Sequence, residues 1–481
     1  MKGGHSSRIW GRQSSFTVAA LVITTIFFWA WEYNPLVISL LSAQEQFIMQ
    51  TPVICNSIKG GSTELKYVSI TEFWLGDSAD SLVLTNPKEQ LMEEDSVTQT
   101  AETKEDEKIL EHSEIDVERE NVLSTEEKVE NGVSASLEKQ DCNYGKGRWV
   151  ADSRRPLYSG FGCKQWLSDM WACRLTQRTD FSYEGFRWQP NGCEMPEFRG
   201  EEFLRRMQDK TIAFIGDSLG RQQFQSLMCM ASGGEENPNV ENLEKKYGLV
   251  KPRGSIRPDG WAYRFPATNT TILYYWSASL CGIEPINATD PNTHFAMHLD
   301  RPPGFLKRFL PEFHVVVLNT GHHWNRGKLN ANRWVMYADD RPVTDRHLAE
   351  MGRAKNHTLY SIARWLDSEI EARPELRVFM RTISPRHFAH GDWNTGGSCD
   401  NMSPLSKGAE VAGDDPSDPV VEGAVRGTRV KILDITALSE LRDEGHISRY
   451  SIKASEGIND CLHWCLPGVP DTWNELIYAQ L

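Results

Sequence analysis

The chain has 481 residues and a formal net charge of −14 at pH 7. Its hydrophobic share of 40% and charged share of 25% are those of a globular protein, which excludes a polytopic membrane protein and a wholly disordered scaffold. The acidic side chains are concentrated in residues 88–140, which hold 17 Asp and Glu against 6 Lys and Arg, a net of −11 that leaves −3 elsewhere. The sequence has no basic patch of the kind that indicates a nucleic-acid partner.

The N-terminus has the pattern of a signal anchor. Three basic residues precede the apolar run FTVAALVITTIFFWAW, and further apolar residues extend it to residue 41. Positive charge on the N-terminal side predicts a cytoplasmic tail over residues 1–15, a transmembrane segment over 16–41 and a lumenal remainder. A cleaved signal peptide is the alternative, because small residues at 42 and 43 offer a cleavage site.

Cysteines and sequons also favour an oxidising lumen. Nine of the ten cysteines follow residue 141, and an odd number there leaves one thiol free, paired with Cys55, or paired between chains. Four N-x-S/T sequons predict a glycoprotein. Their asparagines are Asn269, Asn287, Asn356 and Asn401.

Composition divides the lumenal part in two. Residues 42–141 are predicted to form an acidic, largely disordered stem, because Glu, Ser, Thr and Lys dominate their second half and aromatic residues are rare there. From Cys142 onward Trp, Tyr, Gly and Cys become frequent, which predicts a loop-rich second lobe held by disulfides. The 16 tryptophans of the chain indicate either core packing or stacking on sugar rings.

After residue 210, short apolar runs alternate with helical stretches. Continuous apolar runs are typical of strands buried on both faces, and a helical pattern over 345–372 predicts a crossover between two parallel strands. The fold class is therefore α/β, with a parallel sheet flanked by helices. The predicted strands are TIAFI (211–215), TILYY (271–275), HVVVL (314–318), RVFMR (377–381) and RVKIL (429–433).

The first of these strands runs into Gly216-Asp217-Ser218 and a helix-forming stretch with Phe224, Leu227 and Met228 turned inward. A serine at the end of a parallel strand, with its amide at a helix N-terminus, is well placed for nucleophilic attack and oxyanion support. A second Gly-Asp-Ser, at residues 76–78, is rejected because no amphipathic helix follows it.

The serine needs a base with an orienting carboxylate, and two Asp-x-x-His pairs are present. Spacing alone does not choose between Asp460/His463 and Asp443/His446. Context favours the first pair, because two cysteines and a Pro-Gly can fix its loop, whereas the second follows a helical stretch as its polar end. The same cysteines, at 461 and 465, with His463 between them, are an alternative set of zinc ligands.

Residues 142–481 resemble the plant trichome birefringence-like family of polysaccharide O-acetyltransferases, which is related to the GDSL/SGNH hydrolases. The two defining blocks of that family, a Gly-Asp-Ser and a terminal DxxHWCLPG, occur at opposite ends of this region. The motifs in chain order are GRWV (147–150), FRWQPNGC (186–193), IGDSLGRQQ (215–223), VVVLNTGHHW (315–324), RTISPRHFAHGDWNTGGSC (381–399), LDITALSELRDEGHIS (433–448) and DCLHWCLPGVPDTWNELI (460–477).

The resemblance implies an SGNH-like fold with Ser218 as nucleophile, His463 as general acid/base and Asp460 as orienting acid. It also implies an oxyanion hole formed by the main-chain amide of Ser218, the side chain of Asn319 and, less directly, Gly321. Four tryptophans within the shared motifs are candidates for a sugar-binding groove, with burial in the core as the alternative for each. They are Trp149, Trp188, Trp324 and Trp393.

The function that follows is transfer of acetyl groups to hydroxyls of a plant cell-wall polysaccharide, such as a hemicellulose or a pectin, by a single-pass type II Golgi membrane protein. No bound cofactor is expected. An acetyl donor of unknown identity is required, and a membrane partner is one source of it. The alternatives are a polysaccharide acetylesterase using the same triad, and a non-catalytic protein that binds pectin or another wall polymer.

Overall fold

The computed structural model describes residues 142–236, 238–251, 258–413, 417–452 and 458–481. The predicted tail, anchor and stem, and the Gly-Asp-Ser at residues 76–78, lie outside these ranges. Among the described residues, no helix is both long and apolar enough to cross a membrane. The described residues from Asn143 onward belong to one compact unit.

Sixteen strands are formed by the described residues. They are β1 Gly147–Ala151, β2 Phe186–Pro190, β3 Thr211–Gly216, β4 Glu241–Asn242, β5 Gly260–Phe265, β6 Thr270–Trp276, β7 Gly282–Pro285, β8 Phe295–His298, β9 Val315–Leu318, β10 Trp334–Ala338, β11 Arg341–Pro342, β12 Arg377–Arg381, β13 Glu410–Val411, β14 Lys431–Leu433, β15 His446–Ser448 and β16 Asp460–Trp464.

The same residues form nine α-helices and four short 3₁₀ turns. The helices are α1 Gly200–Arg206, α2 Ser218–Ala231, α3 Glu244–Tyr247, α4 Gly304–Phe309, α5 Arg326–Ala331, α6 Met351–Ala372, α7 Pro419–Val425, α8 Thr436–Glu440 and α9 Val469–Ala479. The 3₁₀ turns are Cys173–Leu175, Ser182–Gly185, Leu310–Glu312 and Asp443–Gly445.

A seven-stranded sheet of order β14-β12-β9-β3-β6-β5-β4 is the centre of the fold. The five predicted strands are confirmed as its contiguous parallel part. The sheet is mixed, because β5 and β4 add to one edge in antiparallel orientation. The predicted crossover helix is also confirmed, since α6 connects the part of the chain after β9 to β12.

Hydrophobic clusters cover both faces of this sheet. In β3, Ile212 and Phe214 belong to one cluster and Ala213 and Ile215 to the other, as the alternation of side chains along a strand requires. The first cluster includes residues of α2 and α9, and the second includes residues of α6. All residues of α2 are buried, so this helix is enclosed on every side rather than only along the predicted inward stripe.

The predicted second lobe is part of the same unit. Strands β1, β2 and β13 form a small antiparallel sheet whose buried tryptophans belong to the cluster that also contains α2 and α9. The prediction of disulfides is confirmed, with bonds Cys163–Cys229, Cys173–Cys465 and Cys399–Cys461. Cys142 and Cys193 are disulfide-bonded as well. Cys281 is the free, buried cysteine of the described part of the chain.

A buried carboxyl group joins α9 to α2. Asp471 Oδ1 accepts hydrogen bonds from Ser226 Oγ at 2.6 Å and Tyr158 Oη at 3.0 Å, and Oδ2 accepts the Gly468 amide at 2.9 Å. Burial raises the pKa of Asp471 from 3.8 to about 7, against three hydrogen bonds that lower it. The folded protein therefore holds this proton more tightly than the unfolded chain does.

This raised pKa predicts a pH-dependent stability. The contribution of Asp471 is fully present below pH 3.8, its ordinary pKa, and is lost as the pH rises through about 7. Asn has the same shape and does not ionise, so the stability of Asp471→Asn lacks this pH dependence. Relative to wild type, the free energy of unfolding of the variant should therefore be about 2 kcal/mol higher at about pH 8 than it is at about pH 5.5. Chemical denaturation at both values measures this, and a difference that does not change with pH would contradict it.

Candidate active site

Ser218, His463 and Asp460 form one hydrogen-bonded chain. The Oγ atom of Ser218 is 2.8 Å from Nε2 of His463, and Nδ1 of the same ring is 3.0 Å from Oδ2 of Asp460. Ser218 and His463 are 4% and 3% exposed, so bulk water has little access to them. The arrangement is that of a nucleophile, a base and an acid that orients the base.

The start of α2 places the serine. Asp217 is the N-cap residue, and its Oδ1 accepts the amide N–H of Leu219 at 3.0 Å. Ser218 is the first helical residue, so its N–H has no acceptor within the helix and lies at the positive end of the helix dipole. This is where an acyl-transfer site needs a donor for the developing oxyanion.

Asp460 is held by hydrogen bonds from its own strand. Its Oδ1 accepts the main-chain N–H of His463 at 2.9 Å and that of Leu462 at 3.2 Å. Burial raises the pKa of Asp460, but the charge of His463 and these hydrogen bonds outweigh it and bring the pKa to about 2. Asp460 is therefore ionised at neutral pH and holds His463 with a proton on Nδ1, which leaves Nε2 to accept the proton of the serine.

Three links hold β16 against the rest of the site. The side-chain amide of Gln222, one turn along α2 from the serine, donates to the carbonyl of Trp464 and accepts its N–H. The disulfides of Cys461 and Cys465 join the strand and its end to two other segments. The prediction that these two cysteines fix the segment around His463 is confirmed, although the segment is a strand rather than a loop.

Asn319 lies close to the nucleophile, and its side-chain amide already makes one hydrogen bond. It follows β9 at the same sheet edge as Ser218, and its Nδ2 donates to Asp217 Oδ1 at 2.6 Å. Its side chain fills space beside Gly216 and Gly220 that any Cβ there would occupy. An amide has two N–H groups, so one remains for an oxyanion. Gly321 packs against Ile383, and its part in an oxyanion hole stays a prediction, as does that of Asn319.

His322 is a neighbour that the sequence reasoning passed over. Its Nε2 is 2.8 Å from the carbonyl oxygen of Ser384, which can only accept, so Nε2 carries the proton. Burial lowers the pKa of His322 to about 4, although the charge of Asp217 opposes the shift. The ring is therefore neutral near pH 7. Its place four residues after β9, near the carboxyl edge of the sheet, is the signal that could have identified it.

A buried arginine balances the carboxylate of Asp217. Arg381 donates to the carbonyl of Leu219 at 3.2 Å and to Gln223 Oε1 at 2.9 Å, and its guanidinium lies 4.6 Å from the ring centre of Trp473. Burial lowers the pKa of Arg381 to about 10, and the charge of Asp217 opposes this effect. Arg381 therefore stays cationic at neutral pH and offsets the negative charge beside the nucleophile.

The prediction of a sugar-binding groove is wrong for two of its four tryptophans. Trp149 and Trp188 are 3% and 1% exposed, face each other across β1 and β2, and donate their indole N–H groups to main-chain carbonyls. Rings enclosed in this way have no free face for a pyranose, and they stabilise the small sheet instead. Trp324 and Trp393 are only partly buried, so their role in a groove stays a prediction.

The remaining alternatives are also decided by contacts. Asp443 and His446 are buried rather than a polar helix end, and Asp443 Oδ2 accepts from Asn401 while His446 Nδ1 faces a main-chain carbonyl. Both cysteines of the alternative zinc set are in disulfides, so that set is wrong. Among the described residues, no cluster of three or more His, Cys, Asp or Glu side chains could hold a metal ion.

Two family models match this chain. Residues 195–480 match the model of the "GDSL/SGNH-like Acyl-Esterase family found in Pmr5 and Cas1p", and residues 140–194 match the "PMR5 N terminal Domain". The chain is 62% identical to trichome birefringence-like 14 of Arabidopsis thaliana over 352 residues, which cover 71% of this chain and 86% of the relative.

Two further relatives from Arabidopsis thaliana extend the comparison. Trichome birefringence-like 15 is 56% identical over 354 residues, covering 72% of both chains. Xyloglucan O-acetyltransferase 1 is 32% identical over 356 residues, covering 71% of this chain and 80% of the relative. The chain therefore belongs to the GDSL/SGNH-like acyl-esterase class, and within that class to the trichome birefringence-like family.

Proposed function

We propose that the protein is an O-acetyltransferase that acetylates hydroxyl groups of a plant cell-wall polysaccharide through an acetyl-Ser218 intermediate. The observation that carries the proposal is the hydrogen-bonded chain from Ser218 Oγ through His463 to the ionised Asp460, at the N-terminus of a buried helix. Membership of a family that contains a xyloglucan O-acetyltransferase supports acetyl transfer to a polysaccharide.

The first half-reaction forms the acyl-enzyme. Ser218 Oγ attacks the acetyl carbonyl of the donor while its proton passes to Nε2 of His463. The amide at the start of α2 donates to the oxygen that becomes negative, and Asp460 stabilises the imidazolium. When the carbonyl re-forms, the donor group leaves with the proton from His463.

The second half-reaction transfers the acetyl group. A sugar hydroxyl attacks the acetyl carbonyl, its proton passes to Nε2 of His463, and the ester bond to Ser218 breaks. His463 then returns the proton to the serine oxygen. The near-complete burial of Ser218 and His463 restricts water at the ester, so an acceptor hydroxyl that the protein positions has an advantage over hydrolysis.

Substitution of the nucleophile tests this function. The full-length chain is incubated with 4-nitrophenyl acetate and oligosaccharides of xylan, mannan, xyloglucan or pectin, and the glycans are weighed by mass spectrometry. We expect one glycan class to gain acetyl groups, and Ser218→Ala to reduce the rate by roughly 10⁴-fold or more.

Ser226→Ala is the matched control, because it removes another buried hydroxyl of α2 that bonds to Asp471 rather than to His463. It should keep most of the activity. Release of acetate without any gain of glycan mass would instead support a polysaccharide acetylesterase. Retention of a glycan by both wild type and Ser218→Ala without any chemistry would support a non-catalytic wall-binding protein.

We also propose the lumenal face of the Golgi membrane as the location, with a membrane acetyl-donor partner as the source of the acetyl group. Eight of the described cysteines are in disulfides, which supports an oxidising compartment. The sequon at Asn287 is exposed, and its Oδ1 accepts the amide and the hydroxyl of Thr289 at 3.1 and 2.8 Å.

A lumenal address predicts a glycan on this sequon. The full-length chain expressed in plant cells should carry an N-linked glycan at Asn287, detected by a mass loss after glycosidase treatment. The Thr289→Ala variant should lose it, because the sequon needs the hydroxyl. Asn287 without a glycan in wild type would contradict the proposed address.

A further inference from the structure

Two buried histidines lie behind the strand that carries the proposed base. His446 begins β15, which pairs antiparallel with β16, and His387 follows β12 and donates its main-chain N–H to the carbonyl of Cys461 at 3.0 Å. The ring of His446 stacks on Trp464 at 3.9 Å between ring centres, and that of His387 meets the same indole edge-on at 5.9 Å. The two imidazoles are 1% and 6% exposed and have no part in the reaction proposed above.

Hydrogen bonds connect these rings in one line. His446 Nδ1 is 3.0 Å from the main-chain oxygen of His463, and His446 Nε2 is 2.7 Å from His387 Nδ1. His387 Nε2 is 3.0 Å from a carboxylate oxygen of Glu440 and 3.2 Å from the carbonyl oxygen of the same residue. We name Glu440, His387 and His446 the histidine array. One of its ends is half exposed at Glu440, and the other contacts the main chain of His463.

The acceptors at the two ends fix the number of protons. A carbonyl and a carboxylate can only accept, so His446 Nδ1 and His387 Nε2 must each carry a proton. The nitrogen-to-nitrogen contact of 2.7 Å needs a third proton, because two lone pairs would repel each other at that distance. Three protons on four ring nitrogens are one more than two neutral imidazoles hold.

The surroundings locate the resulting charge. Burial lowers the pKa of His446 well below its usual range, and the neighbouring His387 lowers it further. The hydrogen bond from His387 lowers the pKa of Glu440, which burial opposes. The ring of His387 lies 3.0 Å from the Glu440 carboxylate, so the charge of the third proton is paired with that carboxylate.

Other charged groups face the array from each packed element. Arg178 donates to the carbonyl of His446 at 2.7 Å, while Asp460 and His463 act on His446 from β16. Lys407 adds to the field at Glu440 from the loop before β13. The Glu440 carboxylate is the negative charge in direct contact with the array, 3.0 Å from His387 Nε2, so it is the counter-charge that keeps the third proton in place.

We propose that the histidine array positions His463, and that it stays intact only while it holds this third proton. The inference rests on the proposed acyl-transfer function for its kinetic consequence alone. When the third proton is lost at alkaline pH, the contact between the two rings can no longer be made, and the hydrogen bond to the main chain of His463 is weakened. Because the distance from Nε2 to Ser218 Oγ depends on that backbone, kcat falls while KM is unchanged.

Neutralising the counter-charge tests this role. In Glu440→Gln the amide still accepts a hydrogen bond but no longer stabilises the cation, so the array loses its proton at lower pH. For the full-length chain with 4-nitrophenyl acetate, we expect the alkaline limb of the kcat profile to move down by about one pH unit. On the acidic plateau kcat should stay within about twofold of wild type, and KM should not change.

Two further variants make the result specific. Glu440→Asp keeps the charge, so the alkaline limb of its kcat profile should lie close to that of wild type. Glu201→Gln removes an exposed acidic charge from α1 and should leave the kcat profile unchanged. The melting temperature should fall with alkaline pH earlier in Glu440→Gln than in wild type, because the folded state then loses the proton sooner.

The outcomes separate this inference from the proposed function. Superimposable kcat profiles and melting curves for wild type and Glu440→Gln would overturn the inference, as would equal slowing by Glu440→Gln and Glu440→Asp at every pH. If Ser218→Ala keeps the wild-type esterolytic rate, the proposed function fails, and the melting temperatures alone then decide whether the array holds its proton.

Discussion

The structure depends on keeping a nucleophile and a base in contact although 245 residues separate them in the chain. The nucleophile is fixed by the start of a buried helix, while the base lies on a two-stranded ribbon outside the main sheet. A shift of about 1 Å between these elements is enough to slow the reaction by about 100-fold. Much of the polar and covalent bonding around the site serves to prevent such a shift.

Each neighbouring part of the fold contributes one link to β16, the strand that carries His463. Gln222 connects the strand to the helix of the nucleophile through both main-chain groups of Trp464. The disulfide at Cys461 connects it to the loop after β12, and the one at Cys465 connects its end to the N-terminal region. His446 supports its opposite edge through the main chain of His463. The segment around Cys173, which was predicted to belong to a second lobe, is thus part of the active-site scaffold.

Much of the sheet could be predicted from the sequence because strands buried on both faces leave a continuous apolar run. Strand β5, with the sequence GWAYRF, lacks such a run because its exposure alternates, so its antiparallel pairing at the sheet edge was missed. The Ser218, His463 and Asp460 set was found through the family motifs. Spacing alone did not distinguish the Asp443/His446 pair from Asp460/His463, because a polar run does not reveal whether its side chains are exposed or buried in a hydrogen-bond network.

Other features were beyond sequence reasoning for physical reasons. Trp149 and Trp188 pack against each other through the register of two strands far apart in the chain, which composition does not specify. Nine cysteines allow many pairings, and only the fold shows that Cys281 is left out. The proton count of the histidine array follows from distances between three segments that are separate in the chain, so no local pattern encodes it.

The central claim is that Ser218 carries the acetyl group between donor and acceptor. The most direct measurement is to mix the full-length chain with 4-nitrophenyl acetate in the absence of acceptor, quench in acid within one turnover, and map acetylated peptides by mass spectrometry. The account predicts an acetyl ester on Ser218 that disappears when an accepting oligosaccharide is added. Acetyl transfer to the oligosaccharide without any acetyl ester on Ser218 would contradict it.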